Sequence, residues 1–282
     1  MTRLVSIAAA AAAAVAVGFQ LCGCATAPKR EAEQSMIRYQ LAADYFRGRR
    51  VEAAQVELQR ALQLDTENAD AHNLGGLMAL EQGADSVRQA ETAGCLHGQD
   101  AQAIRRDAAS KFKEAEQWFR RATTLRPDFA EAWNNLSVAA LNLEAYDEAA
   151  SAAEMALRDV AYASPELARA NLGWAEYHRK NLNAAWKALH QAVSGAPGFC
   201  VGKYRLAKVY TDRGQLDEAV EQLDGLAADT ACPIQEAFLL GGLVHQRRRE
   251  LAKARGFFGR CAQMAPRACL AAECRQYAEM LK

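Results

Sequence analysis

The sequence predicts an all-α fold in which helical hairpins repeat along the chain as an α-solenoid. Alanine makes up about a fifth of the 282 residues and only 6 are proline, a composition typical of helices and not of β-sandwiches or barrels. Alanines recur at intervals close to 34 residues over most of the chain. Every proline after Pro28 falls at a predicted boundary between repeated units, as its missing N–H requires.

Charge and composition narrow the function classes. Lysine plus arginine number 34 and aspartate plus glutamate also number 34, so the chain has no overall positive field to attract nucleic acid. With 51% hydrophobic residues it has enough apolar material for a core. We therefore expect a folded protein that does not bind nucleic acid.

The N-terminus has the pattern of an export signal. Arg3 precedes an apolar stretch that ends in Leu21-Cys22-Gly23-Cys24, which matches the basic and hydrophobic regions of a signal peptide. The last four residues resemble the bacterial lipobox. That resemblance implies a lipoprotein signal peptide over residues 1–23, acylation of Cys24 and a lipidated tether over residues 24–34. Cys22 fits less well because bulky residues precede it.

An uncleaved anchor helix is the alternative, since about 18 apolar residues approach the length that spans a bilayer. Either interpretation attaches the chain to a membrane and places the rest outside the cytoplasm. Ala25 resembles the sorting residue of lipoproteins that move to the outer membrane. We therefore expect a lipid-anchored protein of the outer membrane that faces the periplasm, where disulfides persist.

The repeats resemble tetratricopeptide repeats, whose period is 34 residues. The first interval between the repeated alanines, 61, exceeds this period by an insertion of 27. Trp133-Asn134-Asn135-Leu136, followed by Tyr146 and Ala149, is close to the family pattern. The resemblance implies six helix-turn-helix repeats over residues 35–268 and a capping helix over residues 269–282. The alanines that set the register are Ala54, Ala115, Ala149, Ala185, Ala219 and Ala254.

The insertion covers about residues 84–107, within the second repeat. It is predicted to form a longer helical hairpin or a loop, either as a binding protrusion or as a tolerated surface insertion. Cys95 and His97 lie inside it, but two ligands fall short of the three or four that zinc needs. We predict no metal site.

Antiparallel helices bring the start of one helix close to the end of the next. Cys200 opens the first helix of the fifth repeat and Cys232 follows its second, so we predict a disulfide between them. Cys261 could pair with either Cys269 or Cys274 of the capping helix. One cysteine of the six could remain free or pair with Cys95, and spacing alone does not decide between these arrangements.

No catalytic or cofactor motif is present. The chain lacks phosphate-binding glycine loops, H-E-x-x-H and G-x-S-x-G, and its five histidines are dispersed among the repeats. We predict a protein that is not an enzyme and needs no cofactor.

The predicted binding surface lies on the first helix of each repeat, which lines the concave face in this family. Apolar and aromatic residues at its inward positions would form a stripe suited to an amphipathic helix or an extended apolar peptide, although part of the row could be packing between repeats. Its predicted members are Phe46, Leu77, Leu80, Asn134, Val138, Leu141, Trp174, Tyr177, Tyr204 and Leu243, with Asn142, His178 and Lys208 among them.

A lipobox joined to about six tetratricopeptide repeats resembles the type IV pilus pilotins, lipoproteins that help secretin subunits reach the outer membrane and assemble. The resemblance implies a secretin subunit as the protein partner in the groove. The alternative is an envelope adaptor lipoprotein for peptidoglycan enzymes or for outer-membrane protein assembly.

Overall fold

The computed structural model describes residues 27–92 and 99–281, and these residues contain thirteen α-helices and no strand. The predicted all-α class is confirmed. The bounds are α1 Ala27–Arg47, α2 Val51–Leu64, α3 Ala69–Thr92, α4 Gln99–Leu125, α5 Ala130–Asn142, α6 Tyr146–Ala156, α7 Pro165–His178, α8 Leu182–Gly195, α9 Cys200–Asp212, α10 Leu216–Ala228, α11 Gln235–Arg247, α12 Leu251–Met264 and α13 Cys269–Met280.

The chain divides into two compact units, residues 1–71 and residues 72–282. In the first, α1 and α2 form a hairpin. Two buried hydrogen bonds stabilise this hairpin. The Ser35 hydroxyl donates to the Ala61 carbonyl (2.8 Å), and the Asn68 amide donates to Ser35 Oγ (2.9 Å). Residues 27–34 of the predicted tether belong to α1. Cys22 and Cys24 lie outside the described residues.

The second unit contains five hairpins, α3–α4 to α11–α12, and the capping helix α13. Glycines on the first helices α3, α7 and α11 allow a large side chain of the second helix to approach the backbone. Phe119 lies against Gly76 and Phe258 against Gly242, and a Cβ added to either glycine would be closer than 3.0 Å to the ring. Both phenylalanines are completely buried, so these close approaches form the centre of their hairpins.

The insertion lengthens a hairpin. α3 has 24 residues and α4 has 27, compared with 11 to 14 in the helices of the later hairpins. The extra turns pack together through Phe112, which lies against Gly83, and through a hydrogen bond from Ser86 Oγ to Asp107 (2.9 Å). Cys95 and His97 lie outside the described residues.

Two cysteine pairs fasten the C-terminal end of the second unit. Cys200 and Cys232 are bonded, with Cα atoms 5.4 Å apart, and this is the pair that hairpin geometry predicts. Cys261 is bonded to Cys274, with Cα atoms 6.0 Å apart, which selects one of the two partners left open by the sequence. Cys269 is also disulfide-bonded.

Among the described residues no helix is long and apolar enough to cross a membrane. The apolar stretch of the predicted signal lies outside those residues.

Candidate protein-binding groove

The first helices of successive hairpins in the second unit carry most of the predicted groove residues. Their side chains are half-buried, so each packs partly on its own hairpin and leaves part of its surface accessible. This set comprises Leu77 and Leu80 on α3, Val138 and Leu141 on α5, Trp174 on α7, Tyr204 on α9 and Leu243 on α11. Phe46 is half-buried on α1. It belongs to the first compact unit, so it is not a member of this second-unit set.

Two predicted groove residues, Asn134 and Tyr177, are buried, whereas the others are half-buried. Asn134 is only 6% exposed and its side-chain oxygen accepts a hydrogen bond from the Asn171 amide (3.0 Å). Tyr177 is 8% exposed and its hydroxyl donates to Asp212 (2.5 Å). These polar groups already have partners within the fold, so they fix neighbouring first helices relative to each other and are poorly available to a ligand.

An aromatic cluster occupies the middle of the groove. Trp174 stacks on Tyr177 with ring centroids 4.9 Å apart, and His178 meets the edge of Trp174 at 4.7 Å. Tyr146, at the start of α6, stacks on His178 at 4.5 Å. Rings in such contact hold each other in fixed orientations, so Trp174 presents a rigid, partly exposed surface.

Three cations surround this cluster. The Arg205 guanidinium lies 5.3 Å from the Trp174 ring centroid, while the Lys208 and Lys180 ammonium groups lie 5.7 and 6.0 Å from that of Tyr177. These distances are within cation–π range. Burial, followed by the charges of Lys180, Arg205 and Lys208, lowers the pKa of His178 despite the opposing effect of Glu144. Three cations and one carboxylate therefore act on His178.

The guanidinium of Arg205, a residue of α9, is held against α7. Its Nη1 donates hydrogen bonds to the Ala170 carbonyl and to Asn171 Oδ1, both 3.2 Å long. Burial lowers the pKa of Arg205 to about 10, so the guanidinium is still charged at neutral pH. Burial and the carboxylate of Glu236 raise the pKa of Tyr204, next to it, to about 12. The tyrosine hydroxyl is therefore neutral.

Glu91, near the end of the long helix α3, has a raised pKa. Desolvation, followed by the carboxylate of Glu236, raises the pKa of Glu91, while Arg105 lowers it. Charges act on each other strongly only within about 10 Å. Glu236 thus affects the pKa of both Glu91 and Tyr204.

Sequence reasoning found Trp174, Tyr177, His178, Tyr204 and Lys208 but missed Arg205, Lys180 and Tyr146. Arg205 lies one position after Tyr204 and three before Lys208, so helical spacing could have included it. Lys180 and Tyr146 lie outside the first helices, and no periodicity within those helices points to them. No group of three or more His, Cys, Asp or Glu side chains within residues 27–92 and 99–281 is arranged to hold a metal ion.

The sequence matches no protein-family profile and no curated protein, whereas the fold has many solved counterparts. PilW, described as a widely conserved type IV pilus biogenesis factor, superposes with a TM-score of 0.66 at 21% identity, over 85% of this chain and 97% of PilW. PilF of Pseudomonas aeruginosa gives a TM-score of 0.66 at 17% identity, over 88% of this chain and 99% of PilF. This chain has the tetratricopeptide-repeat fold.

YrrB, a tetratricopeptide-repeat protein described as having an unusual peptide-binding site, also superposes, with a TM-score of 0.50 at 18% identity, over 78% of this chain and 97% of YrrB. These identities are low, so the similarity concerns the fold. Tetratricopeptide-repeat arrays create extended surfaces on which protein partners bind. In the second unit of this chain, the half-buried stripe lies on the first helices of successive hairpins.

Proposed function

We propose that this tetratricopeptide-repeat protein is a membrane-anchored periplasmic scaffold that acts as a pilotin, binding a type IV pilus secretin subunit and assisting its localisation and assembly. The observation that carries the proposal is the match over nearly the whole length of both PilW and PilF. The lipobox-like sequence before Cys24 supports it independently.

The proposed anchor and the proposed groove have separate roles. Acyl chains on Cys24 would hold the protein at the outer membrane, and more than one chain is needed because a single chain gives only marginal binding. α1 begins at Ala27, so very few residues separate Cys24 from the first helix. The half-buried stripe would bind an apolar segment of the unassembled subunit and keep it from aggregating until the ring forms.

The test measures the secretin multimer on unboiled gels from the native organism, in wild type, in a deletion strain and in Cys24→Ala. We expect the multimer to disappear in the deletion and to be reduced or mislocalised in Cys24→Ala. Cys22→Ala is the matched control, because Cys22 is removed with the signal peptide under this proposal, and it should behave as wild type.

A multimer that is unchanged in both the deletion and Cys24→Ala would overturn the pilotin proposal. A crosslinked pull-down that then recovers peptidoglycan enzymes or outer-membrane assembly factors would favour the adaptor alternative. A loss in the deletion together with a normal, correctly located multimer in Cys24→Ala would retain the scaffold and remove lipidation from its mechanism.

A further inference from the structure

Within the described residues, Arg205 and Lys208 of the groove form no ion pair, although they lie close to aromatic rings of α7. We define the α7–α9 site as Trp174, Tyr177 and His178 on α7 with Tyr204, Arg205 and Lys208 on α9. No carboxylate of the described residues lies within ion-pair distance of Arg205 or Lys208. By contrast, Arg179, also next to α7, pairs with Glu176 and with Asp147.

Arg205 keeps hydrogen-bonding capacity in this position. Both of its bonds in the described structure use Nη1, and guanidinium has five N–H donors in a planar fork. Burial disfavours its charge, so a ligand that supplies a negative charge and accepts the remaining donors would relieve that cost.

The apolar surroundings define the rest of the ligand. Trp174 is rigid, half-buried and 5.3 Å from the guanidinium, so a carboxylate on Arg205 would place neighbouring atoms of the ligand over an aromatic ring. Tyr204 lies beside Arg205 and is half-buried as well. The site thus combines a cation and an apolar platform within one side-chain length of each other.

Three carboxylates act near the α7–α9 site, but in the described part of the chain none of them forms an ion pair with Arg205 or Lys208. Asp212 is occupied by the hydroxyl of Tyr177, and Glu236 acts on Tyr204 from the start of α11. Around His178, three cations act against the single carboxylate of Glu144. Arg205 and Lys208 are therefore charged groups of α9 that keep the capacity to pair with a carboxylate of a ligand.

We propose that the α7–α9 site binds an extended acidic segment of the partner protein, in which a side-chain carboxylate pairs with Arg205 and Lys208 and an adjacent apolar side chain packs on Trp174. This inference rests on the proposed protein-binding role of the groove but not on the partner being a secretin.

The probe is a fluorescein-labelled peptide, acetylated and amidated so that only side-chain carboxylates are present, in which glutamates are spaced among leucine, phenylalanine and serine. A matched peptide carries glutamine at each glutamate. Fluorescence anisotropy with the purified chain lacking only its signal peptide should show at least about tenfold tighter binding of the glutamate peptide. Arg205→Gln and Lys208→Gln should each reduce this preference, and Arg205→Gln should bind both peptides about equally.

Arg121→Gln, a change at an exposed arginine of α4, is the matched control and should keep the preference. Lys208→Gln covers the case in which Arg205→Gln fails to fold, because the described structure gives Lys208 no hydrogen bond. Equal binding of both peptides by wild type, or equal losses in Lys208→Gln and Arg121→Gln, would overturn the inference.

The outcome can be separated from that of the pilotin proposal. Peptides that bind equally, in a protein whose deletion abolishes the secretin multimer, would remove the acidic-segment inference and leave the pilotin proposal intact. A clear preference for the glutamate peptide, in a protein whose deletion leaves the multimer unchanged, would support the acidic-segment inference and overturn the pilotin proposal.

Discussion

At the scale of single residues, the hairpins depend on glycines that have no room for a side chain. A Cβ at Gly242 would be closer than 3.0 Å to the ring of Phe258, which is completely buried. We expect Gly242→Ala to lower the free energy of unfolding by about 1–3 kcal/mol, because the ring must move within a close-packed interior. Urea denaturation followed by circular dichroism would measure it.

Gly225→Ala is the control for this prediction. Gly225 lies within α10 and is exposed, and a Cβ added to it would have no neighbouring atom within 4 Å. Alanine favours a helix interior over glycine, so this change should stabilise the protein by about 0.5–1 kcal/mol. If both substitutions shifted the denaturation midpoint in the same direction, the close approach of Phe258 would not be the cause.

A second residue-scale feature is the charge cluster around Glu250, at the start of α12. Its carboxylate accepts a hydrogen bond from Arg248 Nε (2.8 Å) and lies 2.7 Å from Nδ1 of the buried His245, whose Nε2 lies 3.0 Å from Asp224. These bonds, Arg248 first, lower the pKa of Glu250 from its ordinary value of 4.5 to about 2.

The lowered pKa predicts a pH dependence of stability. The native state binds fewer protons than the unfolded chain between these two values, so the contribution of Glu250 is complete above about pH 4.5 and is lost as the pH falls towards 2. The stability difference between wild type and Glu250→Gln should shrink over this range. Thermal melts at each pH would measure it, with the exposed Glu221→Gln as control. A constant difference would contradict the assignment.

At the scale of elements, α13 covers the apolar end of the last hairpin. Tyr277 stacks on Phe258 with centroids 5.1 Å apart, and Cys274 lies in a buried cluster with Phe238 and Cys261. A repeat array needs such a cap because its last hairpin has no further repeat to pack against. Tyr277→Ala should therefore lower the free energy of unfolding by about 1–2 kcal/mol through lost apolar burial.

Tyr277→Phe is the matched variant, since it keeps the ring and removes only the hydroxyl. It should unfold at the wild-type temperature, whereas Tyr277→Ala should unfold earlier and bind more of a hydrophobic dye. Equal unfolding temperatures for the alanine and phenylalanine variants would show that the ring stack does not stabilise the cap.

Elements were predictable where local signals agreed. The 34-residue spacing, the small residues at helix crossings and the position of Pro165 at the first turn of α7 all point to the same hairpins, and the structure has them. The sequence of the insertion permits both a loop and longer helices, so it does not determine the form. Packing of Phe112 against Gly83 is a tertiary contact that periodicity does not reveal.

At the scale of the whole molecule, the groove could be predicted as a stripe but not as a site. Helical spacing selects which residues face one side, and the half-buried Leu77, Val138 and Trp174 follow it. It does not reveal that Asn134 bonds to Asn171 on the next first helix, or that no carboxylate within residues 27–92 and 99–281 forms an ion pair with Arg205. Both depend on the offset between adjacent hairpins, which a single sequence does not fix.

The distribution of the disulfides along the array leads to the last prediction. In the described part of the chain, Cys200–Cys232 joins the start of α9 to the segment before α11, and Cys261–Cys274 joins α12 to α13. With sequence separations of 32 and 13, each could stabilise its region by about 3–4 kcal/mol in the chain-entropy description. The stabilisation from these two bonds therefore falls in the C-terminal hairpins, and Cys269 of α13 takes part in a further disulfide.

Hydrogen exchange with and without reductant would show whether that stabilisation remains local. Hairpins of a repeat array contact mainly their neighbours, so one end can open while the other stays folded. We expect reduction to speed amide exchange in α9 to α13 and to leave α5 and α6 nearly unchanged. The double variants Cys200→Ser/Cys232→Ser and Cys261→Ser/Cys274→Ser should each speed exchange around their own pair. Uniformly faster exchange in all hairpins of the second unit would instead mean that it unfolds as one cooperative block, because loss of a terminal constraint would then reach the hairpins that contain no disulfide.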